Sequence, residues 1–165
     1  MRRMTPVPPG PGQESVWAYP RPPRLERTSR RLRIEMDEAV LAQTVDAWRV
    51  LETSHPPVYY IPQHDIDMTR IVAVDGSSFC EFKGHARYYD YAFGARRIER
   101  VAWAYPQPSR AFEGLAHHLA FYASRVDACY VDDERVGAQD GDFYGGWITR
   151  DIVGPFKGAS GTRGW

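Results

Sequence analysis

Three observations predict a mainly β chain, a small antiparallel arrangement of short strands with one or two short helices: runs of alternating polar and apolar residues, prolines that close several of those runs, and an internal echo kept in fixed order. Trp17-Ala18-Tyr19-Pro20-Arg21-Pro22 returns, with one position changed, as Trp103-Ala104-Tyr105-Pro106-Gln107-Pro108. Asp37 to Gln43 is matched at five of seven positions by Asp133 to Gln139, and Phe82-Lys83-Gly84 recurs as Phe156-Lys157-Gly158. Fixed-order self-similarity is the sign of one supersecondary unit used twice. The fold is therefore expected to be partly duplicated, with Trp17 and Trp103 in related positions and Lys83 and Lys157 likewise.

Met1 to Gln13 is rich in proline and glycine and reads as a disordered lead-in, followed by an extended segment over 14–30. Arg31-Leu32-Arg33-Ile34-Glu35-Met36 alternates over six positions and meets Asp37-Glu38, after which Val40, Ala42 and Thr44 continue on the second arm of a hairpin. Val58 to Ile61 is β-branched and aromatic, closed at both ends by proline, and reads as a strand near a sheet edge. Asp65 to Val72 is expected to form a short helix. Phe79 to Phe82 and Ala86 to Tyr91 flank Lys83-Gly84, where glycine supplies the positive φ of a tight reversal. Arg100 to Tyr105 is the next strand. Ser109 to His118 is the best helix candidate, with Ser109 as its cap and Phe112, Leu115 and Ala116 on one face. Leu119 to Tyr122 and Ala128 to Val131 resume the strand pattern, and Asp132-Asp133-Glu134 turns into Val136. The main β-domain is placed at 31–139, with 140–165 as a glycine-rich extension packing on it.

The chain has 165 residues, enough for one core, and 21 basic against 21 acidic side chains. That balance supplies no field to hold nucleic acid or an anionic membrane. Basic residues crowd Arg21 to Arg33 and acidic ones Asp127 to Asp142, which read as solvated edges and turns. No apolar run is long enough to be a signal or a membrane span, and two cysteines, Cys80 and Cys129, fit a cytoplasmic protein with free thiols.

Glu52-Thr53-Ser54-His55-Pro56-Pro57-Val58-Tyr59-Tyr60-Ile61-Pro62, then Asp65-Ile66, Cys80-Glu81-Phe82-Lys83-Gly84-His85-Ala86, Ala102 to Pro108, Ala120-Phe121-Tyr122 and Val126-Asp127-Ala128 follow one another in an order that resembles the bacterial and fungal family catalogued as domain of unknown function 427. The resemblance runs from about Leu32 to Val136 and implies an Mss4-like β-tent, in which antiparallel sheets meet at an angle. Many proteins of that fold hold zinc between two Cys-x-x-Cys knuckles, but here Lys83 stands where a second cysteine would follow Cys80. His55, His64, His85, His117 and His118 supply no close ligand pairs either, so no metal and no cofactor are expected. The family is sometimes labelled nucleotidyltransferase-like. Such chemistry needs a Gly-Ser turn followed by paired carboxylates for magnesium. Gly76-Ser77 is preceded by Asp65 and Asp67 and followed at a suitable distance only by Asp90, and Gly154 to Gly164 lacks the Gly-Lys-Ser/Thr of a phosphate loop.

Five tryptophans, ten tyrosines and seven phenylalanines remain, many beside proline or glycine, where large rings can line a rigid concave surface. Tyr59, Tyr60, Trp103, Tyr105 and Tyr122 are the candidate wall, with Lys83 as a fixed ammonium for a small polar or anionic ligand. Two other functions stay open. One is an enzyme in which Glu52 or His55 is a general base and Lys83 an electrophilic partner. The other is an interaction domain whose strand edges recruit a peptide or a second copy.

Overall fold

The computed structural model describes residues 4–141 and 143–165. Its strands follow the alternation in the sequence. β1 (Glu14–Ser15) leads through a 3-10 turn, Val16–Ala18, to β2 (Arg24–Thr28), β3 (Leu32–Met36), β4 (Ala39–Thr44), β5 (Ala47–Leu51) and β6 (Val58–Pro62). Two further 3-10 turns, Gln63–Asp65 and Met68–Arg70, precede β7 (Ile71–Cys80), β8 (Gly84–Phe93) and β9 (Arg96–Ala104). After the 3-10 segment Arg110–Leu115 come β10 (His118–Phe121), β11 (Ala128–Val131), β12 (Glu134–Arg135), β13 (Gly137–Ala138), β14 (Trp147–Ile148) and β15 (Ile152–Val153).

The strands form a seven-stranded antiparallel sheet in the order β2-β5-β6-β10-β9-β8-β7 and a four-stranded one in the order β12-β11-β3-β4. The pairs β1-β15 and β13-β14 stand apart. Because side chains alternate across a strand, the larger sheet feeds two cores. One face sends Tyr59, Ile61, Leu119 and Phe121 into a cluster with Leu32, Ile34 and Met36 of β3 and Val131 of β11. The other face sends Tyr60, Trp103, Ala120 and Tyr88 into a second cluster with Tyr105, Phe112, Leu115 and Tyr122.

The β3–β4 hairpin turns on Asp37 and Glu38, both with positive φ (53° and 60°), as the expected reversal requires. A bulge opposite Ile34 and Glu35 inserts one residue, so Leu41 faces the core while Val40, expected inside, is half exposed. β6 is not an edge strand: β5 and β10 flank it, because its prolines sit at its ends and remove no ladder bond from its middle. The two expected helices are only 3-10 segments. Phe112 breaks the Arg110–Leu115 segment at φ −119°, and Ser109 makes no capping bond, its hydroxyl donating instead to the Phe82 carbonyl.

The expected duplication is not there. Trp17 lies in a 3-10 turn and Trp103 in β9. Lys83 ends the loop into β8, whereas Lys157 belongs to a C-terminal segment with only an isolated bridge to Ala159. Even the two acidic hairpins are out of register, since the positive-φ pair in the second is Asp132-Asp133, one residue ahead of the echo.

The charge blocks pair with each other rather than with solvent alone. Arg30 contacts Asp132 at 2.8 Å and Asp151 at 2.7 Å, and Arg31 pairs with Asp133. Asp142, part of the acidic block, lies outside the described residues, as do residues 1–3 of the lead-in. From Met4 the lead-in is coil, with the Val7 N–H donating to the Gly154 carbonyl at 2.8 Å.

Candidate functional site

The reversal between β7 and β8 places Lys83. Gly84 takes φ 108°, and the turn is tied down by the Ser109 N–H donating to the Lys83 carbonyl at 2.9 Å. The Lys83 side chain thereby enters the second aromatic cluster, 8 % exposed, its Nζ 5.7 Å from the Tyr105 ring and 5.8 Å from the Phe112 ring. Among the described residues it has neither an ion pair nor a hydrogen-bond acceptor.

That ammonium borders a cavity of about 270 Å³. Tyr60, Trp103, Tyr105 and Tyr122 line it with Lys83, and so do Glu52 and His55. The rings brace one another: the Trp103 indole N–H donates to the Tyr60 hydroxyl at 3.3 Å, and the Trp103 and Tyr122 rings sit 4.5 Å apart. The Tyr122 hydroxyl donates to the Phe143 carbonyl at 3.0 Å. Burial drives the phenol pKa values of Tyr60 and Tyr105 upward and takes that of Tyr122 to about 12, so the wall is neutral at physiological pH.

Tyr59 does not belong to this set. It is the neighbour of Tyr60 on a strand, so it points to the opposite face, where it packs against Trp147 at 5.3 Å. Its hydroxyl is buried without a hydrogen-bond partner among the described residues.

Glu52 and His55 come from the loop after β5. The first Trp-Ala-Tyr-Pro holds this loop in place: the Ser54 N–H donates to the Val16 carbonyl, the Thr53 hydroxyl to Tyr19 and the Thr53 N–H to Pro20. Glu52 is paired with Arg21 at 3.4 Å and faces His55 Nε2 at 3.7 Å, too far for a hydrogen bond. His55 is 7 % exposed, and its pKa falls to about 4, chiefly through burial, with the charges of Lys157, Arg21 and Lys83 adding to the effect.

Several lining groups escaped the sequence reading. Ser78 and Tyr88 share a hydrogen bond of 2.8 Å between their hydroxyls, and Cys80 lies beside them on β7. Gln139 arrives from just ahead of the extension, and Phe143, Tyr144 and Gly145 from within it. Gly145 is required by close approach, since a Cβ there would fall 2.2 Å from the Trp103 ring. Only the alternation of β8 could have pointed to Tyr88; Tyr144 stands beside glycine in a ring-rich run of the kind expected to line a concave surface, while no local pattern marks Gln139.

Both cysteines are free thiols, and burial pushes the Cys129 thiol pKa well up. Among the described residues no three His, Cys, Asp or Glu side chains gather as a metal site, and no helix is long and apolar enough to cross a membrane. The family model described as Domain of unknown function (DUF427) matches residues 24–132, about two thirds of the chain. No curated protein matches the sequence.

Proposed function

We propose that this chain, which belongs to the family described as Domain of unknown function (DUF427), is a binding module that takes a small anionic ligand with an apolar body into its aromatic cavity. The observation that carries the proposal is Lys83, a residue only 8 % exposed whose ammonium borders the cavity with no anionic partner among the described residues. A buried charge is costly unless paired, and a ligand carboxylate or phosphate would supply the missing partner while its body lies against Trp103, Tyr60, Tyr105 and Tyr122. The family match ends at residue 132, so Gln139, Phe143 and Tyr144 lie beyond it. In this reading the extension tunes selectivity on a cleft built by the matched region. The balanced charge and free thiols support a cytoplasmic protein handling small molecules.

The test is thermal stabilisation by a panel of small carboxylates, sugar phosphates, nucleotides and uncharged analogues, on the wild type and on Lys83→Met. An anion present at a hundred times its dissociation constant should stabilise the wild type by about 2.7 kcal/mol. Uncharged analogues should do far less, and Lys83→Met should lose the response. A panel in which no anion moves the wild-type melting point would end the proposal.

A further inference from the structure

We infer that Gln139 fixes His55 as a neutral imidazole carrying its proton on Nε2, so that the cavity offers a permanent N–H donor together with the Lys83 ammonium, and that the ligand is a monoanion of the carboxylate type rather than a polyphosphate. The ligand half of this inference rests on the binding reading above.

The bonds of the Gln139 amide fix its orientation. Its Oε1 accepts the Gly146 N–H at 3.1 Å, which only an oxygen can do. The amide orientation is thereby set, and its Nε2 donates to the Lys157 carbonyl at 2.7 Å, again a one-way bond. The same nitrogen lies 3.1 Å from His55 Nδ1. Since it can only donate, Nδ1 must accept and is unprotonated. The proton of the neutral ring is therefore on Nε2.

Protonating His55 would aim an Nδ1–H at the Gln139 N–H and add a cation to a place already under Lys157, Arg21 and Lys83. Tyr144 packs on the ring at 4.7 Å, and Glu52, the one carboxylate in contact among the described residues, is held by Arg21. His55 consequently has no lone pair free for general-base work, which counts against the enzyme alternative built on it. It acts as a donor, and Gln139 is the positioning residue behind it.

Ligand charge follows from the rest of the lining. Its described residues include one cation, Lys83, against Glu52 and Glu81. Polyphosphates are held by several cations, a metal or a row of backbone N–H groups. A cavity of about 270 Å³ with one ammonium and one imidazole donor suits a single carboxylate on an apolar body.

Long-range proton–nitrogen correlation spectra of the full chain, labelled with nitrogen-15, test the tautomer without any ligand. His55 should show a single Nε2–H form at pH 7 and remain neutral at pH 5.5. An Nδ1–H form, a mixture of forms, or protonation near pH 6.5 overturns the inference. Gln139→Glu places an acceptor opposite Nδ1 and should move the proton there; a variant that folds and keeps the Nε2–H form removes Gln139 from its role. Benzoate, inorganic phosphate and ATP are then titrated into the wild type. Benzoate should bind and shift the His55 Nε2 signals, whereas tighter binding of phosphate or ATP overturns the ligand assignment. Binding by none of the three overturns that assignment, while the larger anion panel judges the binding reading and the ligand-free spectra judge the tautomer separately.

Discussion

Lys83→Met should make the protein more stable and at the same time abolish its affinity for anions. Lys83 as a residue is 8 % exposed, but its Nζ is not among the fully enclosed polar atoms, so the ammonium bears only part of the roughly several kcal/mol that burying an ion costs. The offsets in the structure are small: two ring contacts at 5.7 and 5.8 Å, close to the ~6 Å limit for cation–π attraction and worth roughly 0.5–1 kcal/mol each, together with whatever solvent reaches the cavity mouth. Methionine keeps the stem packed against Tyr105 and Phe112 and drops the charge. The balance favours the variant by about 1 kcal/mol, or roughly 2–4 °C in melting temperature for a domain of this size. Urea denaturation followed by tryptophan fluorescence measures the first effect, and anion titration the second. If Lys83→Met instead lost more than about 1 kcal/mol and still bound anions, the ammonium would have a structural role and the ligand argument would fail.

Tyr59→Phe removes a buried hydroxyl that has no hydrogen-bond partner among the described residues, the nearby Arg49 guanidinium being engaged by Glu14 and Glu26. It should be neutral or stabilising by up to about 1 kcal/mol in urea, and a clear loss would mean that the hydroxyl is satisfied after all. Gly145→Ala drives a methyl group into the Trp103 ring, so stability should fall by roughly 1–3 kcal/mol and ligand affinity with it; an unchanged fluorescence spectrum and midpoint would show that the ring yields freely. His55 is held near pKa 4, below its unfolded value of about 6.5, so the unfolded chain takes the proton first. Its contribution is complete above about pH 6.5 and erodes as pH falls toward 4, by on the order of 3 kcal/mol in all. His55→Gln should flatten that part of the stability profile relative to wild type, and parallel profiles would refute the assignment.

Much of the fold was legible because strands announce themselves locally. The alternation of Leu32, Ile34 and Met36 marks β3, and Lys83-Gly84 marks the β7–β8 reversal, both without help from distant residues. What failed depended on partners far along the chain. Pro57 and Pro62 made β6 look like an edge, yet whether a strand is central depends on what lies beside it, here β5 and β10. Tyr59 and Tyr60 are both apolar neighbours in a run buried on both faces, so alternation says that they diverge without saying which one enters the cavity. Lys83, Trp103, Tyr105 and Tyr122 were identifiable from rings and a turn lysine, but Gln139 reaches the site only because Gly146, Lys157 and His55 meet there from three separate segments.

The echoed segments carry a different lesson from the one their similarity invites. No unit is repeated, yet copies of both Trp-Ala-Tyr-Pro and Phe-Lys-Gly end at the same place in different roles. The second Trp-Ala-Tyr-Pro provides the cavity wall through Trp103 and Tyr105, while the first grips the Thr53-Ser54 turn that presents Glu52 and His55. Lys83 contributes a side chain to the cavity, whereas Lys157 contributes its backbone, donating to the Ser54 carbonyl at 2.9 Å and accepting from Gln139. Proline after an aromatic ring stiffens the chain wherever it occurs, and glycine after lysine permits a positive φ, as at Gly84 and Gly158. The same local chemistry can therefore serve a strand end in one context and a brace in another. Its convergence on the loop that holds His55 is why that loop, far from any regular element's interior, can keep one imidazole in one tautomer.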